Sequence, residues 1–386
     1  MADAPEVLFE ITSAHLNTGL RGVPVGTTRT SAVHPDRGVS YVGYPIAELA
    51  DKDPEEVVYL LLERELPTAD QVLRFKTNLR SRGGVDPRVF DLLRKLPRDA
   101  HPMEWLEIGL VALGMFSKVG DFAEDALNVI AWAPELVAGI FRIRSGWGDP
   151  IPGRPELGLV ENFVHMLSVP GGDPARLARL LRVFYVLHLD HGGGNLSTFT
   201  GKAVASGHAD MFASLTGAMC ALSGPLHGRA NQDGLAFVKK IGTADPDEVE
   251  HFVRAELARG GKIFGFGHAV LRAEDPRATI EYALGEQICP DDPLFQTART
   301  LRSVAVKVLR EYEKVSNPYP NVDAVSGSLL HAMGLTDPST YTVLFGLARI
   351  SGIAAQIVDE RVNARGGRGV PLYRPRYIAV GQPPRG

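Results

Sequence analysis

The chain has 386 residues, 45% hydrophobic and 22% charged, with a formal net charge of −4. That length suggests about two domains, and the balance is that of an ordinary globular protein. The mild acidity gives no reason to expect nucleic acid or an acidic membrane surface as partner, and two cysteines, Cys220 and Cys289, cannot form a metal cluster alone and fit a reducing compartment.

The first residues, Met1-Ala-Asp-Ala-Pro-Glu6, are acidic and lack an apolar core, which argues against a secretory signal. No run approaches 18 apolar residues, so no bilayer span is expected, and the expected location is cytoplasmic. Thr28–Val33 and Val39–Tyr44 flank His34-Pro-Asp-Arg-Gly38 and predict a β-hairpin. Helix starts then recur at Asp53-Pro54, Asp173-Pro174, Asp245-Pro246, Asp292-Pro293 and Asp337-Pro338. Aspartate accepts the orphan N–H bonds of a first turn, and proline at the first helical position loses no hydrogen bond. After Pro54, Val57, Val58, Leu60, Leu61 and Leu62 make an apolar face that Leu66-Pro67 stops. After Pro246, Val249, Phe252, Val253 and Leu257 keep helical spacing until Gly260-Gly261. Tyr341–Val362 is apolar nearly all round, the pattern of a buried central helix. The tail Arg365–Gly386, rich in Gly, Pro and Arg, predicts an extended arm that frays or lies across a partner subunit. Strands and helices do not alternate, which argues against a doubly wound sheet.

Four stretches place titratable residues beside glycines: His188-Leu-Asp-His191-Gly-Gly-Gly-Asn195, Gly224-Pro-Leu-His227-Gly228, Gly265-Phe-Gly267-His268 with Arg272 and Arg277, and Asn321-Val-Asp323-Ala-Val-Ser326-Gly327. Glycine beside a reactive side chain lets a ligand approach the backbone. Each also has an ordinary reading. A lone histidine is more often a structural hydrogen-bonding residue, Asp323 can cap the helix starting near Ser326, and Arg272 and Arg277 can be solvated helix charges. His188-x-x-His191 on a helix could hold a metal, but no glutamate follows His188 and no third ligand is evident. His191-Gly-Gly-Gly lacks the Gly-x-Ser-x-Gly elbow of an esterase. Gly265-x-Gly267 lacks the third glycine of a dinucleotide loop, and no phosphate loop occurs.

Gly224-Pro-Leu-His-Gly-Arg-Ala-Asn-Gln232, Gly265-Phe-Gly-His-Ala-Val-Leu-Arg-Ala-Glu-Asp-Pro-Arg277 and Asn321-Val-Asp-Ala-Val-Ser-Gly327 resemble the signatures of the citrate synthase family, in the same order. Asp190-His-Gly-Gly-Gly-Asn-Leu-Ser-Thr198 and Tyr341-Thr-Val-Leu-Phe-Gly-Leu-Ala-Arg349 are similar to that family as well, and the likeness runs from about Gly19 to Arg374. The resemblance implies an all-α, two-domain fold, a large helical domain with an inserted smaller helical one: residues 1–224 and 326–386 for the large domain with its C-terminal arm, 225–325 for the small. It implies an acyltransferase of the tricarboxylic acid cycle that condenses acetyl-CoA with oxaloacetate and hydrolyses citryl-CoA. His227, His268 and Asp323 would be catalytic, and His191, Arg277 and Arg349 would bind the oxaloacetate and citrate carboxylates. Arg374 would be donated across a homodimer. Arg272, Arg21 and Lys262 would meet coenzyme A, a substrate rather than a bound cofactor, and no metal is implied.

Arg229 stands where many relatives carry a small or apolar residue, and the N-terminus is too short for the extra domain of NADH-regulated hexamers, which favours a simple dimer. Two rival readings remain beside this one. A 2-methylcitrate synthase would use the same three residues with propionyl-CoA. A non-catalytic relative kept for binding or assembly would be free to lose them, and here all three are intact.

Overall fold

The structure, a computed structural model, describes residues 6–268, 270–312, 315–378 and 381. Helices dominate it, beside one antiparallel sheet in the order β1 (Ser31–His34), β2 (Gly38–Tyr41) and β3 (Tyr44–Pro45). The expected hairpin is the β1–β2 pair, with Val33 opposite Val39 and His34 opposite Gly38; the short third strand was not foreseen. Gly38 has φ +78°, and a Cβ there would lie 2.6 Å from Cδ of Pro276. The hairpin therefore rests directly on the start of the helix Pro276–Ile288.

Asp173, Asp245, Asp292 and Asp337 each accept backbone N–H bonds as N-caps, a contribution of about 1 kcal/mol apiece. Asp53 is also at an N-cap, but its carboxylate is drawn off to Lys76 and Arg182. The helix Pro54–Glu63 ends at Arg64, whose left-handed φ of 65° turns the chain before Leu66-Pro67. Asp337 opens a 3-10 turn, Pro338–Thr340, that leads into the long helix Tyr341–Val358.

That helix is the centre of the molecule. All its residues except Phe345 are buried, and it packs on Phe122–Ser145, Met211–Leu222, Pro54–Glu63, Leu196–Ser206 and Pro174–His188. At Gly352 a Cβ would lie 1.9 Å from the carbonyl oxygen of Leu189, so only glycine lets the helix touch the backbone that enters the His191 loop. The α-helix stops at Val358 rather than Val362. Asp359–Asn363 form a wider π-turn, closed by the Ala364 N–H bonding the carbonyl of Asp359 at 2.9 Å; such turns often mark functional sites. Phe122–Ser145 and Pro338–Asn363 are long and apolar enough to cross a bilayer, yet 83% and 94% of their most apolar windows are buried inside the fold. They are core helices here.

Within 225–325 lie Ala230–Ile241, Pro246–Ala258, Pro276–Ile288, Pro293–Leu309 and the 3-10 turn Val322–Ala324. Pro246–Ala258 packs on Pro293–Leu309, and Ala230–Ile241 on Val322–Ala324, while Pro276–Ile288 also packs on Pro174–His188 and Ile46–Leu49. The arm from Val370 to Ile378 is extended. It is docked at Tyr373, whose N–H donates to Oγ of Ser206 at 3.1 Å. Residues 379–380 and 382–386 of the expected arm lie outside the described residues.

Candidate active site

Two segments distant in sequence are laced together to present His268 and Asp323. Gly265 and Gly267 have φ of +81° and +85°, and a Cβ on Gly265 would lie 2.5 Å from Cα of Ala324. The Asn321 N–H donates to Gly265 O at 2.9 Å, and the Gly267 N–H to Tyr319 O at 3.0 Å. Nδ2 of Asn321 donates to Gly267 O at 2.9 Å, and its Oδ1 accepts the Asp323 N–H at 3.0 Å. A one-residue slip in either loop would break this lattice, so the two side chains hold their relative position through backbone bonds.

The hydrogen bonds fix the histidine tautomers. Nδ1 of His268 accepts the N–H groups of Val270 and Leu271 at 3.0 and 2.9 Å, which leaves the proton of the neutral ring on Nε2. Burial, then the charge of Arg277, holds His268 below the usual histidine range. His227 is the mirror case. Its Nε2 accepts the Ser197 N–H at 3.2 Å, and Oγ of Ser197 donates onward to Asn195 at 2.8 Å, so the ring proton sits on Nδ1. Burial, then Arg349, pushes His227 down to about 4. Both rings are therefore neutral donors at physiological pH. The turn that carries His227 is pinned by Thr342, whose Oγ1 donates to Gly228 O at 2.8 Å.

Asp323 is half-buried, and no described residue donates a hydrogen bond to its carboxylate. Burial pushes it up to about 6, against the pull of Arg277. An unpaired carboxyl in that range is a good proton acceptor near neutrality. Arg349 lies fully buried. Its Nε donates to His188 O at 2.9 Å, its Cζ sits 4.6 Å from the centroid of Phe345, and its Nη1 has no partner among the described residues. Burial lowers it to about 10, yet it stays charged, and a guanidinium edge left free in the interior is a receptor for an anion. Arg277 is held by Asp275, the N-cap of its own helix, through Nε at 3.1 Å and Nη2 at 2.7 Å; its Nη1 bonds no described residue. The His191 ring centroid lies 5.7 Å from that of His268. Burial, then Arg277, holds His191 well below its ordinary value.

Six of the expected residues thus cluster: Arg277 acts on His191, His268 and Asp323, and Arg349 acts on both His227 and Asp323. The remaining expected residues are not drawn in. Arg272 is exposed and its Nη1 caps the carbonyls of Val270 and Leu271 at 3.1 and 2.9 Å, while its N–H reaches back to Pro35 O of the hairpin at 2.8 Å. Arg21, Lys262 and Arg374 are exposed and make no side-chain hydrogen bond with a described residue. Arg229 meets Asp233 one turn on, at 3.7 Å. His188 and His191 do not share a helix, because the helix ends at His188, whose Nδ1 bonds the Phe184 carbonyl. No metal-binding cluster of three acidic, histidine or cysteine residues occurs among the described residues.

Three residues of the site carry no expectation from sequence. Asp275 belongs to an Asp-Pro helix start, the same signal seen elsewhere, and orients Arg277. Ser197 follows the Gly-rich loop and sets the His227 tautomer. Glu281, one turn beyond Arg277, is fully buried with both oxygens unpartnered. Burial, then the charge of Asp323, holds it well above the carboxylate range, so it keeps its proton.

Comparison with known proteins identifies the family. The family model described as citrate synthase, C-terminal domain, matches residues 19–376. The chain is 35% identical to the mitochondrial citrate synthase 4 of Arabidopsis thaliana, over 94% of this chain and 81% of that protein. It is 34% identical to the mitochondrial 2-methylcitrate synthase of Yarrowia lipolytica, over 97% and 85%. The crystal structure of citrate synthase from Thermotoga maritima superposes with a TM-score of 0.81 at 31% identity, covering 94% of this chain and 95% of the other. The curated relatives are mitochondrial. That finding overturns the cytoplasmic location expected from the N-terminus and the cysteines.

Proposed function

The chain belongs to the citrate synthase family and is an acyltransferase that condenses acetyl-CoA with oxaloacetate; from that premise we propose that His227, His268 and Asp323 carry the reaction. The observation that carries this reading is the Asp323 carboxyl, raised to about 6 with no described donor, on a turn laced to the loop of His268, together with two histidines held as neutral donors. A thioester methyl is a very weak acid, so proton removal needs a base and a stabiliser of the enolate oxygen together. Asp323 takes the methyl proton, and the Nδ1–H of His227 supports the developing enolate oxygen. The enolate carbon attacks the ketone carbon of oxaloacetate, whose oxygen accepts the Nε2–H of His268; that bond polarises the ketone and supports the alkoxide as the C–C bond forms, and the alkoxide then takes up a proton from water. Water then cleaves the thioester of citryl-CoA to citrate and free coenzyme A.

His191, Arg277 and Arg349 hold the substrate carboxylates, with the free Nη1 edge of Arg349 as the strongest support. Arginine suits this task because its planar fork meets a carboxylate through two bonds. Arg272, Arg21 and Lys262, all exposed, are free to meet the coenzyme, and no tightly bound cofactor is needed. Residues 225–325 form the small domain, whose closure over 1–224 and 326–386 excludes water until condensation is done. The protein is a homodimer with Arg374 contributed across the interface. Supporting this, Ile108, Val111, Met115 and Val119 are exposed at helical spacing on and just beyond the helix Pro102–Ser117, an apolar stripe suited to a second copy. The likeness to a 2-methylcitrate synthase keeps propionyl-CoA as a slower substrate, since one methylene is worth only ~1–3 kcal/mol of discrimination.

The test is deuterium exchange into the methyl of acetyl-CoA with an unreactive oxaloacetate analogue bound. Asp323→Asn should slow it by roughly 10²–10⁴-fold. Exchange at the wild-type rate would remove Asp323 as the base.

A further inference from the structure

Asp190 precedes His191 and is 0% exposed. Its carboxylate is saturated without touching a cation. Oδ1 accepts the His191 N–H at 2.8 Å and Nε2 of Gln356 at 2.8 Å, and Oδ2 accepts Oγ1 of Thr30 at 2.8 Å. The Tyr41 hydroxyl lies 3.2 Å from both the N–H and the carbonyl oxygen of Asp190. Asp190 is also the largest influence that favours the charged form of Arg349.

Gln356 is anchored in turn. Its Oε1 accepts Nζ of Lys202 at 3.3 Å, and the same Nζ pairs with Oε1 of Glu360 at 2.7 Å, both side chains being less than a tenth exposed. Glu360 stands in the π-turn and also accepts the Tyr373 hydroxyl at 3.2 Å. Lys202 lies directly beneath the loop after His191, since a Cβ on Gly193 would meet its Nζ at 2.8 Å. A buried ion pair is seldom more stable than an apolar pair of the same shape, so fold stability alone does not account for Lys202 and Glu360.

We propose that Lys202 and Glu360 form a positioning pair that sets the oxaloacetate pocket through Gln356 and Asp190, and ties the base of the arm bearing Arg374 to the same lattice. This rests on the reading that His191 and Arg349 bind oxaloacetate. Lys202 orients the Gln356 amide so that its Nε2 faces Asp190. Asp190 then holds the His191 backbone and balances Arg349. Glu360 keeps Lys202 in place and receives Tyr373, the neighbour of Arg374.

The experiment measures steady-state kinetics and thermal unfolding for the double variant Lys202→Met/Glu360→Gln, which leaves no lone buried charge. Oxaloacetate KM should rise by roughly tenfold or more, the weight of a hydrogen bond to a charged group, with acetyl-CoA KM and kcat changed far less. Lys202→Arg should restore most of the loss. Should the double variant not fold, Gln356→Leu cuts the link while keeping the ion pair, and the same rise is expected. His191→Ala is the parallel control. If it raises oxaloacetate KM while the double variant, or Gln356→Leu in its place, lowers only the melting temperature, the pair is structural and the proposal is overturned. If His191→Ala leaves oxaloacetate KM unchanged, the site assignment itself fails and takes the proposal with it.

Discussion

Asp190 and Asp323 both act on the charge of Arg349, and their surroundings could hardly differ more. Asp190 receives bonds from a backbone amide, a hydroxyl and a side-chain amide, whereas no described residue donates to the Asp323 carboxylate. The contrast extends to their neighbours. Around Asp190, Gln356, Lys202 and Glu360 are all partnered. Around Asp323, Glu281 has two oxygens with no described partner, and Arg349, which feels both aspartates, has an Nη1 with none. Buried polar atoms are normally satisfied, so the satisfied side fixes shape and the unsatisfied side is where a ligand and a moving proton are expected. Stability and the proposed chemistry are thereby divided between a supporting group around Asp190 and the group around Asp323.

The sharpest way to break that contrast is to remove the free guanidinium edge. Arg349→Gln should raise oxaloacetate KM by about 10–10²-fold, the worth of about 1.5–3 kcal/mol for a bond to a charged group, in a protein that still folds. An unchanged KM in initial-rate assays would mean that the orphan Nη1 is not a carboxylate receptor. Next in size is the pH response. With Asp323 pushed up to about 6, kcat/KM should fall by about tenfold per pH unit below 6, and Asp323→Asn should abolish that limb in its residual activity. A profile flat down to pH 5 would contradict the raised carboxyl.

The smallest effect is on stability, and its sign is the informative part. Asp323 ionises near 3.8 when unfolded and near 6 in the fold. The folded state holds the proton more tightly, so this group favours folding below about pH 4 and loses that contribution as pH rises through 6. Above that it opposes the fold by an amount on the order of 1–3 kcal/mol. Asp323→Asn should accordingly raise stability at pH 7 and not at pH 4, read by urea unfolding at both. A loss at pH 7 would show that the carboxylate is satisfied in solution.

Much of the proposed catalytic group is legible in the sequence because its residues announce themselves locally. His227 sits between Gly224 and Gly228, His268 follows Gly267, Asp323 follows an Asn-Val turn, and the Asp-Pro pairs set where helices begin. The supporting group is hidden for a physical reason: its bonds join remote segments, so Lys202 and Gln356 look like ordinary helix residues. Glu281 reads as a solvated helix charge until the fold buries it against Asp323. The π-turn is equally silent, since nothing in Asp359–Asn363 distinguishes one extra residue per turn from a continuing α-helix. The i, i+3 spacing of His188 and His191 misleads in the other direction, because the helix that would have paired them stops at His188.

Thr30 and Asp190 are 160 residues apart, and Asp190 and Gln356 are 166. Contacts of such separation are slow to form, because long loops must close before any bond compensates them. The helices can therefore regain their hydrogen bonds well before the His191 loop is seated. During refolding from urea, far-ultraviolet dichroism should recover ahead of activity, and oxaloacetate, which binds only the finished pocket, should pull the late species forward by mass action. Simultaneous recovery of both signals would show that the lattice around Asp190 assembles with the helices rather than after them.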